Sequence, residues 1–242
     1  MKFSVCPKKI LSFLLTLVVI LLAGHIIGQL LVHFYLDVSK FEKFAKWMNF
    51  NREVNFPSLF STAILFISSI LLAVIGVFSR NSKKPYLGWY GLSLVFYFLA
   101  IDEAISIHEM FNDFGRKHLG VGGIFYYGWI IPYGIGLLVL VGIYVPFLKM
   151  LPTEIAILFI ISGFIFVLGA VGFEMLGARH KDLFSEEASM YIVYFTLEEL
   201  LEMTGISIFI YALLKYISNH IGKIKISVRS VVPKTQILEQ NG

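Results

Sequence analysis

Charge is scarce in this 242-residue chain: Asp, Glu, Lys and Arg make up 15% of it, against 57% hydrophobic residues. So few ionic side chains cannot give a globule of this size a water-wetted surface, and a mean hydropathy of +0.80 agrees. A soluble enzyme is excluded. Cysteine is nearly absent too. The single Cys6 rules out a disulfide framework, and because it precedes the first apolar run it is not the acylated cysteine that follows a lipoprotein signal. The formal charge of +4 implies no nucleic-acid partner.

Long apolar runs take the place of charge. Lys8 and Lys9 precede a run from Ile10 to Leu36, about 27 residues, whereas a cleaved signal has an apolar core of about 7 to 15; no Ala-x-Ala site follows, so a retained first helix is expected. Five further runs reach the ~20 residues needed to cross a ~30 Å hydrocarbon core: Pro57 to Ser79, Tyr86 to Met110, Gly122 to Leu148, Thr153 to Leu176 and Ala188 to Ile217. The expected fold is all-α, a polytopic six-helix membrane bundle. Residues 1–9 form a short N-terminal segment, and from Ser218 to residue 242 the chain is basic and aperiodic, as suits a tail near anionic headgroups.

Orientation follows from Lys and Arg in the connections. Twelve lie on the side of the termini and eight on the other, where they alternate with acids such as Asp37, Glu42, Glu53 and Asp182. Both termini are therefore expected in the cytoplasm, with the protein in a bacterial plasma membrane. In the first outer connection, Ser39-Lys40-Phe41-Glu42 fits a capping box, with Phe41, Phe44, Trp47 and Met48 on one face. A short interfacial helix is expected there.

What interrupts the apolar runs is more informative. Asp102, Glu103 and Glu109 fall in the third, Glu174 in the fifth, and Glu198, Glu199 and Glu202 in the sixth, with no lysine or arginine among them. An ionised carboxylate at the bilayer centre costs at least ~2.5 to 3.5 kcal/mol, so the seven must face one another, water, protons or a cation. Rising at ~1.5 Å per residue, three spans carry them to overlapping depths in the outer half. His25, Gln29 and His33 add a polar stripe on the first span. Treated as unbroken helix, the third span puts Asp102, Ser106, Glu109 and Asp113 in one narrow arc, flanked by Glu103 and His108. Glu198, Glu199 and Glu202 share one side of the sixth.

Carboxylates with imidazoles suit Zn, Mn or Fe better than Ca or Mg. The expected ligands of such a divalent metal are Glu103, Glu109, Glu174, Glu199 and Glu202, completed by His33 and His108. Asp102 or Glu198 is expected to handle protons. Arg179 is the basic residue placed to fold back toward Glu174, with interfacial anchoring as its commoner role, while Trp89, Tyr90, Tyr126, Tyr127 and Trp129 read as an aromatic belt. Pro132, Gly134 and Gly136 are placed to kink the fourth span. The partners implied are membrane lipid and a lipid-soluble substrate. The rival reading is a cation or proton-coupled transporter using the same acids, and a third is a membrane assembly protein.

The string Leu197 to Gly205 resembles in part the Glu-Glu-x-x-x-Arg helix of intramembrane CAAX-type proteases. Met203 stands where that family has its arginine, and His220 is the only later histidine, so the resemblance assigns no function. Nor are there Glu-x-x-His pairs of the ferritin-like di-iron kind.

Overall fold

The computed structural model describes residues 6–34, 41–114, 122–184 and 189–222. They form an all-α bundle, with no strand among them, in which six helices are long and apolar enough to cross a membrane. In chain order the elements are α1 (Pro7–Phe34), α2 (Glu42–Met48), α3 (Phe56–Asn81), α4 (Leu87–Ile105), α5 (Met110–Phe114), α6 (Ile130–Met150), α7 (Thr153–Val167), α8 (Glu174–Leu183) and α9 (Ser189–Tyr216). A π-helical segment, Leu168–Phe173, joins α7 to α8 in one crossing. Six crossings return the chain to the end where α1 begins, called here the terminal end; the opposite end is the distal one.

Between helices in lipid, burying apolar surface gives little driving force, because the acyl chains are as apolar as leucine. Close approach of small residues and interhelical hydrogen bonds hold the bundle instead. The centre is α9. A Cβ built on Gly205 of α9 would sit 2.8 Å from Phe166 N and 2.9 Å from Ser162 O, and one on Gly169 would sit 2.6 Å from Glu198 O. Backbone meets backbone at both places. Helices α3 and α4 are tied by a reciprocal pair: the Ser69 hydroxyl donates to Ser93 O at 2.8 Å, and the Ser93 hydroxyl to Ser69 O at 2.9 Å.

Helix α6 is attached differently. At the terminal end Tyr144 donates to Gly88 O at 3.1 Å and Phe147 packs edge-on against Trp89. At the distal end Trp129 and Tyr133 pack on His108. Ile130, at that distal end, is its one buried residue, and the stretch between the two attachments has none. Pro132 lies in its first turn, where a missing N–H goes unused, so it does not act as the expected mid-span kink; Pro146 is the proline inside the helix.

The distal connection before α3 is pinned from two sides. Helix α2 folds back on α1, with Ala45 over Gly28 and Met48 over Gly24. Its N-cap is Phe41, without a side-chain cap; the expected cap, Ser39, lies outside the described residues. His25 is buried at 1% exposure, stacks on Phe50, accepts the Phe50 N–H at Nδ1 (3.3 Å) and contacts the Thr196 hydroxyl through Nε2 (3.0 Å). Thr196 donates its own proton to Ile192 O, so the neutral ring with Nε2–H satisfies every partner. Asn55 then starts α3 with a capping box to Ser58 and holds Asn49 O through its side-chain amide at 2.6 Å. The result is a fixed turn, residues 49–55, hung from α1 and α3.

If the glycine contacts set the α7–α9 distance, Gly205→Ala and Gly169→Ala each lower stability by about 1 to 3 kcal/mol, because backbone atoms cannot step aside. Gly142→Ala on α6, where nothing lies within 4 Å of the built Cβ, leaves it unchanged. Thermal unfolding in detergent measures this, and equal melting of all three variants would refute it.

Candidate functional site

The bundle encloses a cavity of about 1110 Å³ between α4, α6, α7, α8 and α9. Asp102 and Glu103 reach it from the end of α4, Glu109 from the turn beyond, and Glu174 from the start of α8. Glu198, Glu199 and Glu202 reach it from α9. All seven of these acids therefore line one space, and the three on α9 are half-buried because that space is hollow. His108 lines it too. His33 does not: it is exposed on α1, packed edge-on against Phe34, so it cannot complete a set of ligands with the acids.

The third span corrects the expectation of an unbroken helix. Helix α4 ends at Ile105, and Ser106 adopts a left-handed conformation with φ +52°. In continuous helix His108 would stand ~9 Å farther along the axis than Asp102. The break turns the chain back, so the His108 N–H donates to Asp102 Oδ1 at 2.8 Å and its Nδ1 lies 3.2 Å from Asp102 Oδ2. With the proton on Nδ1, the ring turns its Nε2 lone pair away from Asp102. The predicted arc of Asp102, Ser106 and Glu109 does not exist. A carboxylate–imidazole pair replaces it.

Among the described residues, Glu53, His108 and Glu109 bring one ligand atom each within 4.8 Å of one another. Glu53 carries no hydropathy signal, since it sits in a polar connection where an acid is ordinary; the turn hung from His25 and Asn55 puts it over the cavity mouth. There a second space of about 580 Å³, lined by Lys46, Trp47, Asn55, Glu53 and Glu109, opens the cluster outward. Asn112 in α5 adds a buried amide oxygen with no hydrogen-bond partner, beside the same cavity. Two carboxylates and one braced imidazole suit a divalent transition metal. Glu103, Glu174, Glu199 and Glu202, also expected as ligands, lie along the cavity wall, and Trp129 Nε1 donates to Glu174 Oε1 at 3.2 Å.

Aromatic residues read as a belt take part. Tyr127 contacts the Tyr191 hydroxyl at 3.0 Å, and Tyr191 donates to Asn51 Oδ1 at 3.3 Å, a chain of hydroxyls along the wall. Burial and the Tyr191 bond hold the Tyr127 phenol well above its ordinary range, so it stays protonated. Trp89 stands in the first turn of α4, at a span end as expected, but faces the interior of the bundle. The bases at the cavity are Arg52 and Lys181, the latter with its ammonium over the Tyr127 ring; Arg179 is exposed and does not line it.

Two groups of the cluster, outside the spans, are shifted. The carboxyl of Glu53 is crowded by protein although the residue as a whole is exposed. That desolvation raises its pKa, with attraction to His108 opposing the rise and repulsion from Glu109 adding to it. For His108 burial is the largest influence and favours the neutral ring. The hydrogen bond and charge of Asp102, helped by Glu174 and Glu53, outweigh it and hold the imidazole above its ordinary 6.5. A proton bound more tightly in the folded state stabilises it below pH 6.5, and this contribution fades as pH rises through the folded value. In Asp102→Asn the largest attraction goes and the desolvation stays, so the His108 pKa falls. Histidine NMR in detergent checks this, and an unchanged titration would show that Asp102 does not control the ring.

No curated protein and no solved structure matches the chain. Residues 11–216, from the first crossing to the last, match the family described as "Domain of unknown function (DUF8692)", and the chain belongs to that family.

Proposed function

We propose that this protein is a divalent-metal-dependent membrane enzyme acting on a lipid or other membrane-soluble substrate in the outer half of a plasma membrane, with both termini cytoplasmic. The observation that carries the reading is the convergence of Glu53, His108 and Glu109 within 4.8 Å at the mouth of an acid-lined cavity, with Asp102 bracing the imidazole from behind. Carboxylate–histidine–metal geometry of this kind fixes the ring and makes its free nitrogen a better ligand. Zn, Mn or Fe suits the donors, and when bound it supplies Lewis-acid activation of water or a polar headgroup.

The chain's own residues supply the rest. Glu53, His108 and Glu109 hold the metal, and Asp102 orients His108. Glu198, deeper on α9, is the carboxylate left to take or give a proton to substrate. Trp129 fixes Glu174, and the polar mouth admits water from one side. A transporter using these acids predicts exchangeable ions; the braced imidazole favours a retained one.

Purified protein then carries close to one metal per chain by elemental analysis. Glu53→Gln, Glu109→Gln and His108→Ala lose it, and Asp102→Asn weakens its affinity about 10- to 100-fold. In nanodiscs of defined lipid, the metal-loaded protein converts a lipid or added membrane-soluble compound, followed by mass spectrometry of extracts, and the Glu53→Gln protein does not. Metal content that survives all four substitutions, or a metal-free protein that melts no higher with Zn, Mn or Fe added, refutes the proposal.

A further inference from the structure

The acids occupy the distal part of the cavity. The rest is apolar, walled by Leu92 and Phe96 of α4, Leu140 and Leu148 of α6, Phe159 of α7 and Phe209 of α9. Along α4 from Asp102 back to Leu92 this limb runs ~15 Å, and along α6 from Tyr133 to Leu148 ~22 Å. One leaflet of a ~30 Å hydrocarbon core is ~15 Å deep. Protein interiors close up around voids, and a space of about 1110 Å³ is of ligand size.

The wall on the side of α6 is weakest in its middle. This helix is tied to α4 near its two ends, by Tyr144 and Phe147 at one and by Trp129 and Tyr133 at the other. Between them Gly136 of α6 and Gly163 of α7 both line the cavity, and nothing lies within 4 Å of a Cβ built on either. Two neighbouring helices that lack side chains at these positions and meet at few others form the part of the wall that a hydrocarbon chain from the surrounding lipid would part most easily.

Charge selects the head. Eight acids line the cavity, against Arg52, Lys181 and the imidazole of His108. With a metal held at Glu53, His108 and Glu109, the deeper Glu103, Glu199 and Glu202 still face the space. A phosphate there finds only carboxyl oxygens, which repel it as soon as they ionise, whereas an ammonium donates hydrogen bonds to them and favours their ionised form.

We infer that the substrate is a long-chain amphiphile with an amine head: its hydrocarbon chain lies in the apolar limb, entered between α6 and α7, and its ammonium lies among Glu103, Glu199 and Glu202. As a substrate class this rests on the reading of the distal cluster as a reaction site. As a binding site it does not depend on the metal.

The full-length protein in non-ionic detergent is titrated with hexadecylamine, hexadecyl phosphate and butylamine, and bound ligand is read by native mass spectrometry, with metal content measured on the same samples. Hexadecylamine binds one per chain. Butylamine, without the chain, and hexadecyl phosphate, with the wrong charge, bind at least about tenfold more weakly, a difference of ~1.4 kcal/mol each. Gly163→Trp and, separately, Gly136→Phe fill the limb without touching an acid and reduce hexadecylamine binding about tenfold, with thermal unfolding and metal content as in the unaltered protein. The inference is overturned if hexadecylamine binds no better than either comparison ligand, or if both folded variants keep full binding. Protein that binds hexadecylamine but no metal supports this site and refutes metal-dependent activity; protein that holds metal but not hexadecylamine does the reverse.

Discussion

Carboxylates cannot be left against hydrocarbon, and that constraint sets the rotation of three of the six crossings about their own axes. Helices α4, α7–α8 and α9 have apolar residues on every side, so apolar burial alone would let each turn freely in lipid. Turning Asp102, Glu103, Glu174, Glu198, Glu199 and Glu202 inward removes that freedom. The hollow they share is a consequence, since side chains that repel one another cannot close the gap between their helices. Contact at Gly169 and Gly205 keeps α7 and α9 together just beside the acids, so repulsion opens space toward α6, the most weakly attached crossing.

The six crossings were legible because hydropathy over about 20 residues is a property of composition, and few positions in this sequence are ambiguous on that scale. Helix ends shifted by a few residues, most at the fourth crossing, where the helix starts at Ile130 rather than Gly122. The shared depth of the acids was legible too, because depth depends only on rise per residue. Angular position was not. It assumes an unbroken helix, and one left-handed residue, Ser106, removes the arc while creating the contact between Asp102 and His108. Nothing in the residues Ile105-Ser106-Ile107 marks that break, which tertiary contacts of His108 with Trp129 and Tyr133 stabilise.

Glu53 and His33 show the same limit from opposite sides. By composition His33 continued a stripe on α1 and Glu53 was one acid among several in a polar connection. The structure reverses their importance, because the position of a loop residue is decided by what anchors the loop. Here the anchors are a buried imidazole and an asparagine that caps α3, neither of which announces a partner in sequence. His25, the first member of that stripe, packs against the turn that carries Glu53.

That arrangement gives α1 an influence at a distance. Its ring nitrogens join the Phe50 backbone on one side to Thr196 of α9 on the other, so the turn and the acid-bearing helix are fastened to a common strut. A tilt of α1, such as a change in bilayer thickness imposes, drags both ends of the strut together. Glu53 is thereby referred to α1 and α9, whereas His108 and Glu109 follow α4, so the spacing of the three depends on how these helices stand relative to one another.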